Sequence, residues 1–129
     1  MKRNERDWMD RLSAMATASS QVDSSLYAKY DVKRGLRDIN GKGVLAGLTQ
    51  IGEVQAHPEG DVTGPGHLIY RGMDIEAIVA GFLPEGRPGF EETCYLLLSG
   101  ELPNRKALAE FSELLGGYRA LPDDFVHDS

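Results

Sequence analysis

Helical spacing of apolar side chains marks the start of the chain. Trp8, Leu12 and Met15 recur at intervals of three and four residues, with charged residues between them. We therefore predict an amphipathic helix over about residues 5–18, within an N-terminal helical arm of residues 1–20. Because its polar face mixes both signs of charge, we expect this helix to dock on protein and not on a membrane surface.

A short helix and a basic cluster follow the arm. Asp23 is placed to cap a helix over residues 24–30, because its carboxylate can accept from free N–H groups of the first turn. Several cations come next, and a solvated surface is the default interpretation of such a run. A site for a polyphosphate ligand stays open as the alternative. The cluster consists of Lys29, Lys33, Arg34 and Arg37.

The middle of the chain changes to short apolar runs between glycines. From Val44 onward this pattern suits short extended segments better than a helix. A loop over residues 57–66 is dense in turn-forming residues and leads to a predicted strand, His67–Tyr70. We therefore expect a small strand pair that forms a hairpin-like excursion.

Three helices are predicted in the second half. Asp74 caps the first, which we expect to break at Gly81 and Pro84. The second, about residues 90–99, is apolar on nearly every side, so it must be enclosed by other helices. Asn104 caps the third, which presents a regular apolar face. The predicted fold class is mainly α, with a small N-terminal β-hairpin region.

Composition restricts the class of protein. A chain of 129 residues suits one domain or part of one, and its net charge of −6 disfavours a nucleic-acid surface. Cys94 has no second cysteine to pair with, which suits a reducing, cytoplasmic location. No apolar run approaches the roughly 20 residues that cross a bilayer, so we expect no membrane role.

Side chains that could carry chemistry are scattered. His57, His67 and His127 lie far apart and lack the paired spacing of a zinc site, so we expect solvated histidines and no metal. Cys94 stands among apolar residues, which disfavour a reactive thiolate, so we expect it to pack in the core. Residues alone thus predict a mostly helical fragment without a defined activity.

Two ordered motifs carry a resemblance to a known family. Residues 66–76 read Gly-x-Leu-x-Tyr-Arg-Gly-x-Asp-Ile-Glu. Phe90-Glu91-Glu92, Tyr95-Leu96-Leu97-Leu98 and Gly100-Glu101-Leu102-Pro103 follow downstream. Together with Gly35-Leu36-Arg37, these segments resemble citrate synthases and 2-methylcitrate synthases from about residue 30 to residue 125. By this resemblance, residues 21–129 are the truncated N-terminal part of the helical large domain of such an enzyme.

The resemblance implies an acyltransferase of the tricarboxylic acid cycle. A complete member is a homodimer that condenses acetyl-CoA with oxaloacetate and water to citrate and CoA, without a metal or other cofactor. Its catalytic histidines and aspartate lie in motifs of the Gly-x-x-His-Gly-Gly and Gly-x-Gly-His-Arg types, which this sequence lacks. We therefore assign no catalytic residue, leave His67 without a catalytic role, and expect the chain alone to be inactive.

The resemblance implies one contact to CoA, and two alternatives to a citrate synthase stay open. Arg37 stands in a Gly-Leu-Arg setting similar to a family position whose arginine meets CoA phosphate. A 2-methylcitrate synthase acting on propionyl-CoA is one alternative, and a naturally short, non-catalytic protein-interaction domain is the other. Residues 121–124 look like a helix start close to the chain end, which favours a fragment.

Overall fold

The computed structural model describes residues 3–33, 47–55, 65–121 and 125. For residues 3 and 4 it describes the backbone alone. It confirms a mainly α fold with a small sheet. The helices are α1 (Arg3–Ser19), α2 (Ser25–Lys29), α3 (Ile75–Phe82), α4 (Phe90–Ser99) and α5 (Arg105–Gly117). The strands are β1 (Gly52–Gln55), β2 (His67–Tyr70) and β3 (Met73–Asp74), and a 3-10 turn spans Leu83–Glu85.

The sheet is antiparallel with the order β1-β2-β3. Gly52 lies opposite Tyr70, and Ile69 lies opposite Asp74. The predicted strand pair is therefore confirmed for β1 and β2, although residues 57–64 of the predicted loop between them lie outside the described residues. The sequence did not predict β3, because two residues are too few to display an alternating pattern.

Both predicted N-terminal helices form, with starts one or two residues from the predicted ones. The arm forms α1, and α2 begins at Ser25, whose N–H donates to the Asp23 carboxylate at 2.8 Å. This hydrogen bond from Ser25 holds the pKa of Asp23 below its ordinary value. The predicted capping interaction thus forms, from one residue ahead of the N-cap position that Ser24 occupies.

One predicted helix boundary is wrong. The Asp74 cap is confirmed, since its Oδ1 accepts from the Glu76 N–H at 2.8 Å. Gly81, however, lies inside α3, which runs to Phe82. A single glycine costs a helix only about 1 kcal/mol relative to alanine, too little to end it. Pro84 sits in the first turn of the following 3-10 segment, where its missing N–H leaves no hydrogen bond broken.

The core is formed by buried side chains of α3, α4 and α5, and α1 packs against α4 beside them. Leu96 is 0% exposed and Phe111 is 2% exposed, and Ile78 and Tyr95 are also buried. The prediction that other helices enclose α4 is confirmed in part, because α1 and α5 both pack against it. Phe90, in the first turn of α4, is 63% exposed. Part of the apolar surface of α4 therefore remains in contact with solvent.

The turn before α4 depends on a glycine at one position. Gly89 has φ +71°, and a Cβ built there would lie 2.3 Å from Phe82 Cε1. We expect Gly89→Ala to lower the free energy of unfolding by about 2–4 kcal/mol, because it adds overpacking against the Phe82 ring to an unfavourable backbone conformation. Urea unfolding followed by circular dichroism measures this change.

Gly86 supplies the matched control for that substitution. It also has a positive φ, +65°, but no atom lies within 4 Å of the position that its Cβ would occupy. Gly86→Ala should therefore cost only the backbone term, about 1–2 kcal/mol. Equal losses in the two variants would show that the contact with Phe82 is unimportant.

Candidate functional site

Arg71 joins three elements through its side chain. Its Nε and Nη2 donate to the Leu97 carbonyl at 3.0 and 2.8 Å, and its Nη1 donates to the Ser19 carbonyl at 2.7 Å. Nη2 also reaches Ser19 Oγ at 3.3 Å. We call this group, Arg71 with Ser19 and Leu97, the Arg71 clamp. It connects the β2–β3 turn with the C-terminal ends of α1 and α4.

Local backbone geometry aims Arg71 at these helix ends. Tyr70 pairs with Met73, so Arg71 and Gly72 form a two-residue hairpin loop. Their φ values are +50° and +80°, the positive values that a type I′ turn requires at both positions. A non-glycine residue there is strained by roughly 1 kcal/mol or more. The hydrogen bonds of the side chain offset this strain.

The electrostatics of the clamp follow from the helix ends. Carbonyl groups in the last turn of a helix lack partners within the helix and form the negative end of its dipole. Ser19 is the last residue of α1, and Leu97 lies in the last turn of α4. The Arg71 guanidinium therefore supplies both hydrogen-bond donors and positive charge where two helices need them.

An aromatic cluster holds the other end of α1. Trp8 stacks on Phe111 with ring centroids 5.6 Å apart, and Tyr95 meets Phe111 edge-on at the same distance. Trp8 Nε1 donates to Glu110 Oε2 at 2.9 Å, and the Tyr95 hydroxyl lies 4.0 Å from Met15 Sδ. Burial raises the pKa of Tyr95. Contacts near both ends thus hold α1 against α4 and α5.

His67 differs from the solvated histidine expected of it. Its Nδ1 lies 2.7 Å from Asp74 Oδ2, and both side chains are about one-third exposed. The same carboxylate caps α3 through its other oxygen. The side-chain hydrogen bond from His67, and then the backbone hydrogen bond from Glu76, hold the pKa of Asp74 below its ordinary value of 3.8. Asp74 therefore links β2 to the start of α3.

The lowered pKa of Asp74 predicts an acid dependence of stability. Because the pKa is lower in the folded chain than in the unfolded chain, the ionised carboxylate stabilises the fold above the unfolded value of 3.8. We expect this contribution to disappear as the pH falls through the still lower folded pKa. Asp74→Asn keeps an oxygen for the helix cap but cannot ionise, so its unfolding free energy should fall less between pH 5 and 2. Urea titrations at each pH measure both chains, and parallel curves would contradict the prediction.

Ion pairs surround the N-terminal end of α4. Arg87 contacts Glu85 at 2.8 Å and also contacts Glu92, and Arg119 contacts Glu91 at 2.8 Å. The hydrogen bond and charge of Arg87 lower the pKa of Glu85, while Glu92 and then Glu85 raise the pKa of Arg87. The adjacent carboxylates of α4 thus pair with different arginines and form no acid–base dyad.

A shallow pocket lies where β1 meets the β2–β3 turn. Glu53 supplies a carboxylate there, whereas the guanidinium of Arg71 is held by the clamp. Within the described ranges, no three His, Cys, Asp or Glu side chains group as a metal site. No described helix is both long and apolar enough to cross a membrane. The pocket is lined by Thr49, Gln50, Gly52, Glu53, Ile69, Arg71 and Gly72.

Comparison with known proteins identifies the segment that contains the clamp arginine. A family model described as "Citrate synthase, C-terminal domain" matches residues 35–129, which is most of the chain. The chain belongs to the citrate synthase family. Arg71, Leu97 and Phe111 all lie within this citrate synthase segment, whereas α1 lies outside it. The clamp and the aromatic cluster therefore attach the N-terminal arm to the family segment.

Two curated relatives extend the comparison. The chain is 38% identical over 91 residues to 2-methylcitrate synthase 2 of Corynebacterium glutamicum, covering 70% of this chain and 19% of the relative. It is 37% identical over 81 residues to 2-methylcitrate synthase of Shewanella oneidensis, covering 63% of this chain and 18% of the relative. The chain thus spans about a fifth of the length of these citrate synthase family members. No solved structure matches.

The structure describes only some of the site residues that the sequence analysis names. Arg34 and Arg37 of the basic cluster, together with His57 and His127, lie outside the described residues. Within the described part of that cluster, Lys29 lies over the Tyr30 ring and Lys33 pairs with Asp31.

The sequence did not reveal the clamp. In the sequence, Arg71 stands out only as part of the Tyr-Arg-Gly motif of the family. A cation immediately before a glycine in a hairpin turn is the only sequence feature that could have pointed to the clamp. Ser19 gave no signal at all.

Proposed function

We propose that this chain supplies a structural, non-catalytic part of a condensing enzyme of the citrate or 2-methylcitrate synthase type. Such an enzyme joins an acyl-CoA to oxaloacetate with water and releases CoA. The observation that carries the proposal is the Arg71 clamp. Arg71 belongs to the Tyr-Arg-Gly motif and Leu97 to the Tyr-Leu-Leu-Leu motif, so hydrogen bonds join the two motifs of the resemblance.

The acyl donor is the next part of the proposal. Both curated relatives are named 2-methylcitrate synthases, which supports propionyl-CoA as the donor. Acetyl-CoA, the donor first expected from the sequence, remains the alternative, giving citrate in place of 2-methylcitrate. Comparing CoA release from the two thioesters at equal concentration distinguishes these donors.

A chimera tests the structural role in an active enzyme. We would replace the segment of Corynebacterium glutamicum 2-methylcitrate synthase 2 that matches this chain with the corresponding residues of this chain, and assay CoA release with oxaloacetate and propionyl-CoA. We expect the chimera to keep activity, because we assign no catalytic group to the exchanged segment. The 129-residue chain alone should release no CoA. A folded chimera without activity, or CoA release by the chain alone, would refute the proposal.

The proposed CoA contact can be tested in the same chimera. The resemblance gives Arg37 a role at a CoA phosphate, where a guanidinium suits the phosphate oxygens. We expect Arg37→Ala to raise the KM for the acyl-CoA roughly tenfold, since a charged hydrogen bond contributes about 1.5 kcal/mol. The KM for oxaloacetate should stay unchanged and serves as the internal control. An unchanged KM for the acyl-CoA would remove Arg37 from the site.

Exposed apolar side chains favour a second candidate, a protein-interaction domain. Leu83, Phe90 and Leu121 are each more than 60% exposed. Such residues mark contact surfaces when they adjoin one another. Light scattering after size-exclusion chromatography should then show self-association of the chain. A monomer at all concentrations, together with an active chimera, would leave the synthase role as the better account.

A further inference from the structure

We draw no further inference here: the strongest candidate, the exposed apolar side chains Leu83 of the 3-10 turn, Phe90 in the first turn of α4 and Leu121 after α5, carries nothing, because nothing in the structure shows what covers them.

Discussion

Arg71→Ala is expected to lower the free energy of unfolding by about 3 kcal/mol, because it removes charged hydrogen bonds and leaves helix-end carbonyl groups without their donors. The side chain makes four hydrogen bonds at 2.7–3.3 Å to Ser19 and Leu97. The alanine would also keep the positive φ of the turn without the contacts that offset it. Urea unfolding at neutral pH measures the change.

Two further variants separate the clamp from a general effect of charge. Arg71→Lys keeps the charge, but a single ammonium cannot reproduce the fork of a guanidinium, so it should recover only part of the loss. Arg105→Ala removes an arginine whose side chain is 94% exposed and whose contact with Glu85 is 3.5 Å long, so we expect little change. Similar losses in Arg71→Ala and Arg105→Ala would contradict the role of the clamp.

Helices were predictable here because their signals are local. The Asn104 side chain accepts from the Ala107 N–H at 2.9 Å, as a cap three residues ahead should. α4 spans Phe90–Ser99, and α1 covers the helix predicted over residues 5–18. The signals that predict these helices, a cap or an apolar face at helical spacing, lie close together in the sequence, so a single sequence is enough to recognise them.

The clamp could not be predicted, because its parts are distant in sequence. Arg71 lies 52 residues from Ser19 and 26 residues from Leu97. The groups that it binds are mainly backbone carbonyls, which every residue has, so no side-chain type marks the acceptors. The clamp forms only when α1 packs beside α4, and no local sequence pattern predicts that packing.

The interpretation of His67 as a solvated side chain failed for a related reason. His67 and Asp74 are seven residues apart, a spacing that suggests no contact in a helix or in a single strand. The tight turn at residues 71–72 folds β3 back along β2, which places Asp74 opposite Ile69 and near His67. Predicting this pair needed the two-residue strand β3, which the sequence pattern did not show.

Phe111→Ala is expected to have the largest effect on stability, about 3–5 kcal/mol, the usual loss for a buried phenylalanine truncated to alanine. Phe111 is 2% exposed, and its ring contacts both Trp8 and Tyr95. The truncation leaves a cavity between α1, α4 and α5. It also removes the aromatic surface on which Trp8 stacks, so it loosens the arm and the core together.

Trp8 is the chain's single tryptophan and therefore reports on this site directly. Its fluorescence should shift to longer wavelength in Phe111→Ala, because the indole becomes more exposed when its stacking partner is lost. Phe90→Ala is the matched control: the same substitution at a residue that is 63% exposed should change neither the fluorescence nor the stability by a comparable amount. If Phe90→Ala destabilised the chain as much as Phe111→Ala, the aromatic cluster would not be the centre of the core. If Phe111→Ala left the Trp8 emission unchanged, α1 would not depend on Phe111 for its position.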